Sequence, residues 1–353
     1  MRPDVELLIT DIAFGGKGVG RAEKKAVFVP FTIAGERIVA RVTSEKKSFA
    51  EATLVRLMQA SPERTTPRCP YFGRCGGCSY QHIHYEHQLH WKLRQLNETL
   101  RRIGKLPEPP IRPIVPSPHE YGYRNRITVH VEEGVIGFFR HDAHRLIDIE
   151  ECPIARPEVN AQLSALRSRR PHAGHYTLRA QPGPRVFSQI NDLVANHLAD
   201  EIAKLIPPEQ SLLIDAYCGA GFFAKRSLGK SSRIVGIDWD RYAIAAAQRD
   251  ATPAETYLAG DLAALLREQL LSAELRLTTV IVDPPAEGLS DQIREILGTY
   301  PVATLLYVSC NPPTLARDLA ALHAAYHLES VTPFDMFPQT AEIEVLAHLR
   351  AQS

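Results

Sequence analysis

Cys310 stands at the end of a short apolar run, Leu305-Leu306-Tyr307-Val308-Ser309, and is followed by Asn311-Pro312-Pro313. The run reads as a strand, and Pro312 with Thr314 reads as a helix start. In an open α/β sheet, chemistry collects at the carboxyl ends of strands. A thiol there, beside a polar Asn and a backbone that cannot continue the strand, is presented as a nucleophile. A small residue buried at a strand end is the plainer alternative.

A second set of residues suits metal chemistry. Cys69, Cys75 and Cys78 fall within ten residues as C-x5-C-x2-C, and Cys152 follows in Glu151-Cys152-Pro153. The glycines around them let the backbone wrap tightly. Four thiolates suit either zinc or a [4Fe-4S] cluster, and His82 and His84 are further candidate zinc ligands.

A third set suits a nucleotide-like cofactor. Leu212–Ala216 reads as a strand running into Asp215-Ala216-Tyr217-Cys218-Gly219-Ala220-Gly221. Gly219 and Gly221 allow a ligand to approach the backbone, and Asp238, at the next strand end, can accept hydrogen bonds from both ribose hydroxyls. The full G-x-G-x-x-G is missing, which favours S-adenosylmethionine over a dinucleotide. Asp261, after a third strand, is a candidate for the adenine amine. Helix capping is the structural alternative for Asp215 and Asp238.

These sets need elements to position them. Strands at Leu212–Ala216, Ile234–Ile237, Val280–Val282 and Thr304–Val308 alternate with helices, which predicts a parallel sheet with helices on both faces. Asp283-Pro284-Pro285 lies at one of its strand ends. Residues 1–59 read as a small all-β unit, with Val5–Ile12, Ala26–Pro30, Arg37–Val42 and Ala50–Leu57 as strands. The glycine-rich Gly15–Arg21 reads as a tight barrel turn between them. From Gln81 to Ile103 the pattern is helical, Pro107–Pro118 reads as an extended linker, and strands follow at Ile127–Val131 and Val135–Phe139. The expected division is 1–59, 60–185 and 186–353.

Charge is unevenly shared. Residues 1–106 carry 18 Lys+Arg against 10 Asp+Glu, and residues 107–353 carry 23 against 30. A basic front on an acidic body suggests a polyanion-binding module that delivers substrate to a catalytic domain. No apolar run reaches membrane-span length, and the start lacks a signal-peptide shape, so a cytoplasmic protein with no membrane role is expected.

Residues 1–59, with Val27-Phe28-Val29-Pro30-Phe31-Thr32 and Gly35-Glu36, resemble a TRAM domain, an RNA-binding barrel of the OB type. The cysteine set, Phe187-Ser188-Gln189-Ile190-Asn191, Asp215–Gly221, Asp283-Pro284-Pro285, Ser309-Cys310-Asn311-Pro312 and Phe337-Pro338-Gln339-Thr340 occur in one order. That order resembles the S-adenosylmethionine-dependent RNA 5-methyluridine methyltransferases, in their iron–sulfur branch acting on 23S ribosomal RNA. The resemblance implies a Rossmann-like α/β methyltransferase domain, an N-terminal OB-type barrel and a small central β-rich domain carrying a [4Fe-4S] cluster on Cys69, Cys75, Cys78 and Cys152. It implies Cys310 as the nucleophile toward uracil carbon 6 and Glu344 as the base for the carbon 5 proton. Gln189, Tyr217 and Asp283 would join Gly219, Gly221, Asp238 and Asp261 around the cofactor. A monomer acting on an unpaired RNA loop is expected.

The chain departs from the family at Ala286, where Arg is frequent, at Glu342, where His is usual, at Phe222 in place of Asn or Thr, and at Asp250-Ala251. Rival readings are a tRNA uridine C5 methyltransferase, an amino methyltransferase using the Asp-Pro-Pro loop, and a non-catalytic RNA-binding assembly factor. A cysteine hydrolase is a more distant rival, since no histidine is placed in sequence to suggest a dyad.

Overall fold

The computed structural model describes residues 4–181 and 189–352. They fall into two compact units: Met1–Gln95, His119–Pro182 and Phe337–Glu342 form the first, and Leu96–Pro118, Gly183–Met336 and Ile343–Ser353 the second.

The first unit opens with strands β1 (Asp4–Ile12), β2 (Gly18–Ala22), β3 (Lys25–Val29), β4 (Arg37–Glu45) and β5 (Phe49–Gln59), closed into a barrel in the order β1-β2-β3-β5-β4. Alternation along each strand turns Leu7, Ile9, Val27, Val29, Ile38 and Ala40 into its interior. The glycine-rich stretch read as a turn from sequence supplies β2 itself. A Cβ on Gly18 would stand 2.1 Å from Thr32 Oγ1, so close strand packing, not turn geometry, asks for that glycine. Helix α1 (Tyr85–Arg102) follows.

Strands β6 (Arg126–Glu132), β7 (Val135–Phe139) and β8 (Leu146–Asp148), helix α2 (Pro157–Ser168) and strand β9 (Gly174–Arg179) complete this unit. The four strands make an antiparallel sheet in the order β8-β7-β6-β9. Val159 and Leu163 of α2 pack on Ile127, Val129, Val131 and Leu178 and cover one face. The sequence reading anticipated β6 and β7 but not β8, α2 or β9. The returning Phe337–Glu342 segment is tied in by Gln339: its N–H donates to Gln88 Oε1 at 3.0 Å, and its carbonyl accepts from Tyr80 N at 2.9 Å.

The second unit contains α3 (Asp192–Leu205), β10 (Gln210–Ala216), α4 (Phe222–Arg226), β11 (Ser231–Asp238), α5 (Arg241–Gln248), β12 (Glu255–Ala259) and α6 (Leu262–Leu271). It continues through β13 (Thr278–Val282), α7 (Asp291–Thr299), β14 (Thr304–Ser309), α8 (Pro312–Leu322), β15 (Tyr326–Phe334) and β16 (Glu344–Ala351). The sheet order is β12-β11-β10-β13-β14-β16-β15. Strands β10 to β14 are parallel; β16 runs antiparallel to both β14 and β15. Because helices cover both faces, β13 and β14 are buried along their whole lengths. Residues 107–118, read as a linker, pair along the edge of β15, with Arg112 N donating to Val331 O and Val115 N to Pro333 O, each at 2.8 Å. That pairing satisfies backbone groups an open edge would expose.

Substituting Gly18→Ala should destabilise the barrel by about 1–3 kcal/mol, as overpacking does. Thermal melting should show a lower first transition, and an unchanged melt would mean β2 does not pack this closely.

Candidate active site

The chemistry-bearing residues of the second unit gather at one sheet edge. Ala216, Asp238, Ala259, Val282 and Ser309 are the carboxyl ends of parallel strands β10, β11, β12, β13 and β14. Since β16 is antiparallel to β14, its first residue comes to the same edge. The register pairs Ser309 with Val345, so the next positions outward are Cys310 and Glu344, on strands about 4.8 Å apart. Glu344 also pairs with Phe334 of β15, and its side chain is buried while Cys310 is exposed.

After β10 the chain makes three left-handed residues in five: Tyr217 at φ +68, Gly219 at +51 and Gly221 at +82. Such a conformation is costly for tyrosine and is tolerated where the surroundings enforce it. A Cβ on Gly221 would meet the Tyr257 hydroxyl at 2.8 Å. Asp238 locks this turn: one carboxylate oxygen accepts from Gly219 N and the other from Asp240 N, both at 2.8 Å. Each oxygen keeps acceptor capacity for a ribose hydroxyl. Asp240, not Asp238, caps α5. Asp261 caps α6 through Ala264 N at 2.8 Å, a role the sequence reading did not assign to it.

Asp283, at the end of β13, accepts from Gln189 Nε2 at 3.4 Å, and burial raises its pKa. The Phe187-Ser188 half of the motif that contains Gln189 lies outside the described residues. Phe222, the residue standing where a polar one was expected, begins α4 and is part-exposed.

The loop after β13 is fastened to the Cys310 turn. Asn311 Nδ2 and Thr314 Oγ1 both donate to the Ala286 carbonyl, at 2.8 and 3.0 Å. These bonds use main-chain oxygen, so they do not depend on which side chain occupies position 286. A hub the sequence reading missed completes the assembly. Asp318 of α8 is fully buried; it accepts from Tyr307 Oη at 2.7 Å and Leu289 N at 2.8 Å with one oxygen, and from Arg294 and Arg317 with the other. Gly288 approaches it so closely that a Cβ there would lie 2.6 Å from Asp318 Oδ2. A helical acid carries no sequence mark of such a role. Trp239 was missed as well: it is 81% exposed beside Asp238.

In the first unit the four candidate ligand thiols are half-buried. Burial pushes Cys78 up to about 12 and Cys152 up to about 11, with neighbouring thiols contributing in both cases. Backbone N–H groups point at the sulfurs: those of Tyr71 and Phe72 at Cys69, Gly77 at Cys75, and Ile154 and Ala155 at Cys152. Yet among the described residues no three His, Cys, Asp or Glu side chains converge as a metal-ion group. Among the described residues neither His82 nor His84 joins the cysteines in such a group. His82 instead packs against Phe31 and Phe72, and burial lowers its pKa to about 3.

Asp215 supplies a pH test of the cofactor edge. Its Oδ2 accepts from Ala224 N at 2.9 Å, its Oδ1 is buried without a partner, and burial first, then Asp283 and Asp238, raise its pKa to about 8. The folded protein therefore holds a proton that the unfolded chain releases above its usual value near 4. This contribution to stability is complete below pH 4 and lost as pH rises to about 8. Replacing Asp215 by Asn should flatten the fall in melting temperature between pH 5 and 8; equal slopes for both proteins would rule out the protonated carboxyl.

Residues 265–352 match the family model of tRNA (uracil-5-)-methyltransferase, and residues 4–55 match the TRAM domain. An uncharacterized RNA methyltransferase of Protochlamydia amoebophila is 31% identical over 98% of this chain and 97% of its own length. Another, from Bdellovibrio bacteriovorus, is 32% identical over 99% and 95%. The crystal structure of Pyrococcus abyssi tRNA (uracil-54, C5)-methyltransferase in complex with S-adenosyl-L-homocysteine shares the fold, with TM-score 0.75 at 23% identity, covering 98% of this chain and 100% of that one. With a closed five-stranded barrel ahead of a methyltransferase-type sheet, this chain belongs to the RNA methyltransferases that join a TRAM domain to a tRNA (uracil-5-)-methyltransferase domain.

Proposed function

We propose that this enzyme methylates carbon 5 of a uridine in RNA, with S-adenosylmethionine as methyl donor and 23S ribosomal RNA as substrate. One observation carries the reading: Cys310 and Glu344 are the next register positions on adjacent strands, at the edge that also bears Asp238. Carbon 5 of uracil is a weak nucleophile. The Cys310 thiolate adds to carbon 6, and the displaced electron pair makes carbon 5 nucleophilic. Bound S-adenosylmethionine supplies a methyl group made electrophilic by its sulfonium. Glu344 then takes the carbon 5 proton, the ring double bond re-forms, and Cys310 leaves as thiolate. The start of α8 beside Cys310 favours the anionic sulfur.

Asp238 would hold the ribose, Gly219 and Gly221 would admit the cofactor to the backbone, and Gln189 and Asp283 would line its other side with Tyr217. Asp261, already a helix cap, keeps one oxygen for the adenine amine, and the exposed Trp239 ring offers a face on which adenine can stack. Uracil must be approached from its faces, so the target uridine leaves its stack.

Cys69, Cys75, Cys78 and Cys152 fit a [4Fe-4S] cluster. The C-x5-C-x2-C spacing with Cys152 supplies the four thiolates such a cluster needs, and backbone N–H groups lie at three of the sulfurs. The methylation needs no electron transfer, so the cluster would have a structural or RNA-positioning role. That thiol set with the TRAM barrel favours ribosomal RNA; the matched tRNA (uracil-5-)-methyltransferase model favours tRNA as the second reading.

Labelled methyl from S-adenosylmethionine should enter ribosomal RNA at uridine carbon 5, and Cys310→Ala should abolish this. Glu344→Gln should stop after addition and accumulate a denaturant-resistant protein–RNA complex. Undiminished transfer by Cys310→Ala would refute the mechanism, and labelling of tRNA alone would select the second reading.

A further inference from the structure

Tyr257 of β12 is buried, and two glycines make room for its ring. Gly236 is its register partner on β11, where a Cβ would stand 2.4 Å from Tyr257 Cδ1. Gly221, at the end of the left-handed turn after β10, is the other. A Cβ there would lie 2.8 Å from the Tyr257 hydroxyl and 2.9 Å from Cε1, so the ring packs directly against that turn.

Gly219, two residues earlier in the same turn, is placed differently. A Cβ on Gly219 would meet no atom of the described residues within 4 Å. Asp238 lies two residues beyond Gly236 on β11, and so on the same face, and it takes the Gly219 N–H at 2.8 Å. One end of the turn is thus tied by a hydrogen bond and open at its Cβ position, while the other rests on an aromatic ring.

Packing alone would be served by phenylalanine. A buried hydroxyl needs a partner, and here the partner is itself a buried acid. Tyr257 Oη donates to Glu255 Oε1 at 2.6 Å. The second carboxylate oxygen of Glu255 accepts from Thr252 N at 2.7 Å and from Thr252 Oγ1 at 2.9 Å, which fixes the acid to the chain before β12. Burial, then the Glu255 carboxylate, raises the pKa of the phenol, so it remains the donor. Lys225, on the helix α4 that Gly221 opens, stands 6.0 Å over the same ring and pairs with Asp250 at 3.1 Å.

We propose that Tyr257, held by Glu255, is a positioning residue for the methyl donor: it sets how far the Gly219–Gly221 turn stands off the sheet, and so the floor on which S-adenosylmethionine lies. The inference rests on the reading of that turn as the cofactor site. Tyr217, left-handed at φ +68, makes the turn a costly conformation to keep. Supports at both ends hold it ready before the cofactor arrives, which lowers the cost of binding. Loss of the support acts on the cofactor and leaves RNA binding alone.

Calorimetric titration of the full-length protein with S-adenosylmethionine, paired with methyl-transfer kinetics, tests this. Tyr257→Phe should raise Kd and KM for S-adenosylmethionine about tenfold, the order of one hydrogen bond to a charged group. Its kcat at saturating cofactor and its KM for RNA should stay at wild-type values, and a melting curve should show it folded at the assay temperature. Glu255→Gln, which keeps an oxygen for the hydroxyl, should hold affinity to within about threefold of wild type. Equal losses in kcat, RNA KM and cofactor KM would mark a general packing role and overturn the proposal. Gly219→Ala tests the underlying reading separately. Weakened binding in Gly219→Ala with wild-type binding in Tyr257→Phe would keep the turn as the cofactor site and refute the role of Tyr257. Wild-type binding in both would refute the site as well.

Discussion

The antiparallel pairing of β14 with β16 is the constraint on which the candidate site depends. Pairing Ser309 with Val345 fixes which residues come next at the edge, and those residues are Cys310 and Glu344. A slip by one residue would turn Glu344 to the other face of the sheet. The buried apolar side chains of β14 and β16, including Leu305, Tyr307, Val345 and Ala347, resist such a slip because each would lose its place in the core. Packing deep in the sheet thus sets the relation of two polar groups at its rim.

The loops then hold what the register sets. Asp318, without exposure, gathers the Asp283–Leu289 loop, β14 and α7 around one carboxylate. A buried acid of this kind costs desolvation, and removing it would take from Arg317 its carboxylate partner and leave Arg294 only Asp291. Its return is rigidity: the turn carrying Cys310 and the loop carrying Asp283 are fastened to each other through Ala286 and to a common helix. The left-handed Tyr217 and the buried Asp215 carboxyl store further strain at the same edge. Local rules are broken where a cofactor would bind, which is where a folded chain tolerates such costs.

What could be read from sequence was what depends on near neighbours. Strand ends at Asp215, Asp238, Asp283 and Ser309 are announced by apolar runs that stop at polar or proline residues, and the helices between them follow from periodicity. What could not be read depends on partners distant in the chain. Strand β2 hid inside a glycine run because its glycines answer to the opposite barrel wall. Strand β16 is fixed by its pairing with β14 some forty residues earlier, and β9 pairs with β6 about fifty residues earlier. Asp318 and Trp239 were missed because burial in one case and exposure in the other are properties of the folded chain. For the four cysteines, spacing identified the set but left zinc and iron–sulfur open, and among the described residues the fold does not gather them into a metal-holding group.

The central claim is that Cys310 bonds to a uracil ring during turnover. Mass spectrometry of anaerobically purified protein, incubated with S-adenosylmethionine and with ribosomal RNA or tRNA containing 5-fluorouridine, tests it directly. Fluorine at carbon 5 leaves no proton for a base to remove, so elimination cannot occur and the enzyme should remain attached. The account predicts a peptide containing Cys310 joined to a methylated fluorouridine fragment, whose flanking sequence names the target. An unmodified Cys310 on both RNAs, in protein that binds S-adenosylmethionine, would contradict it.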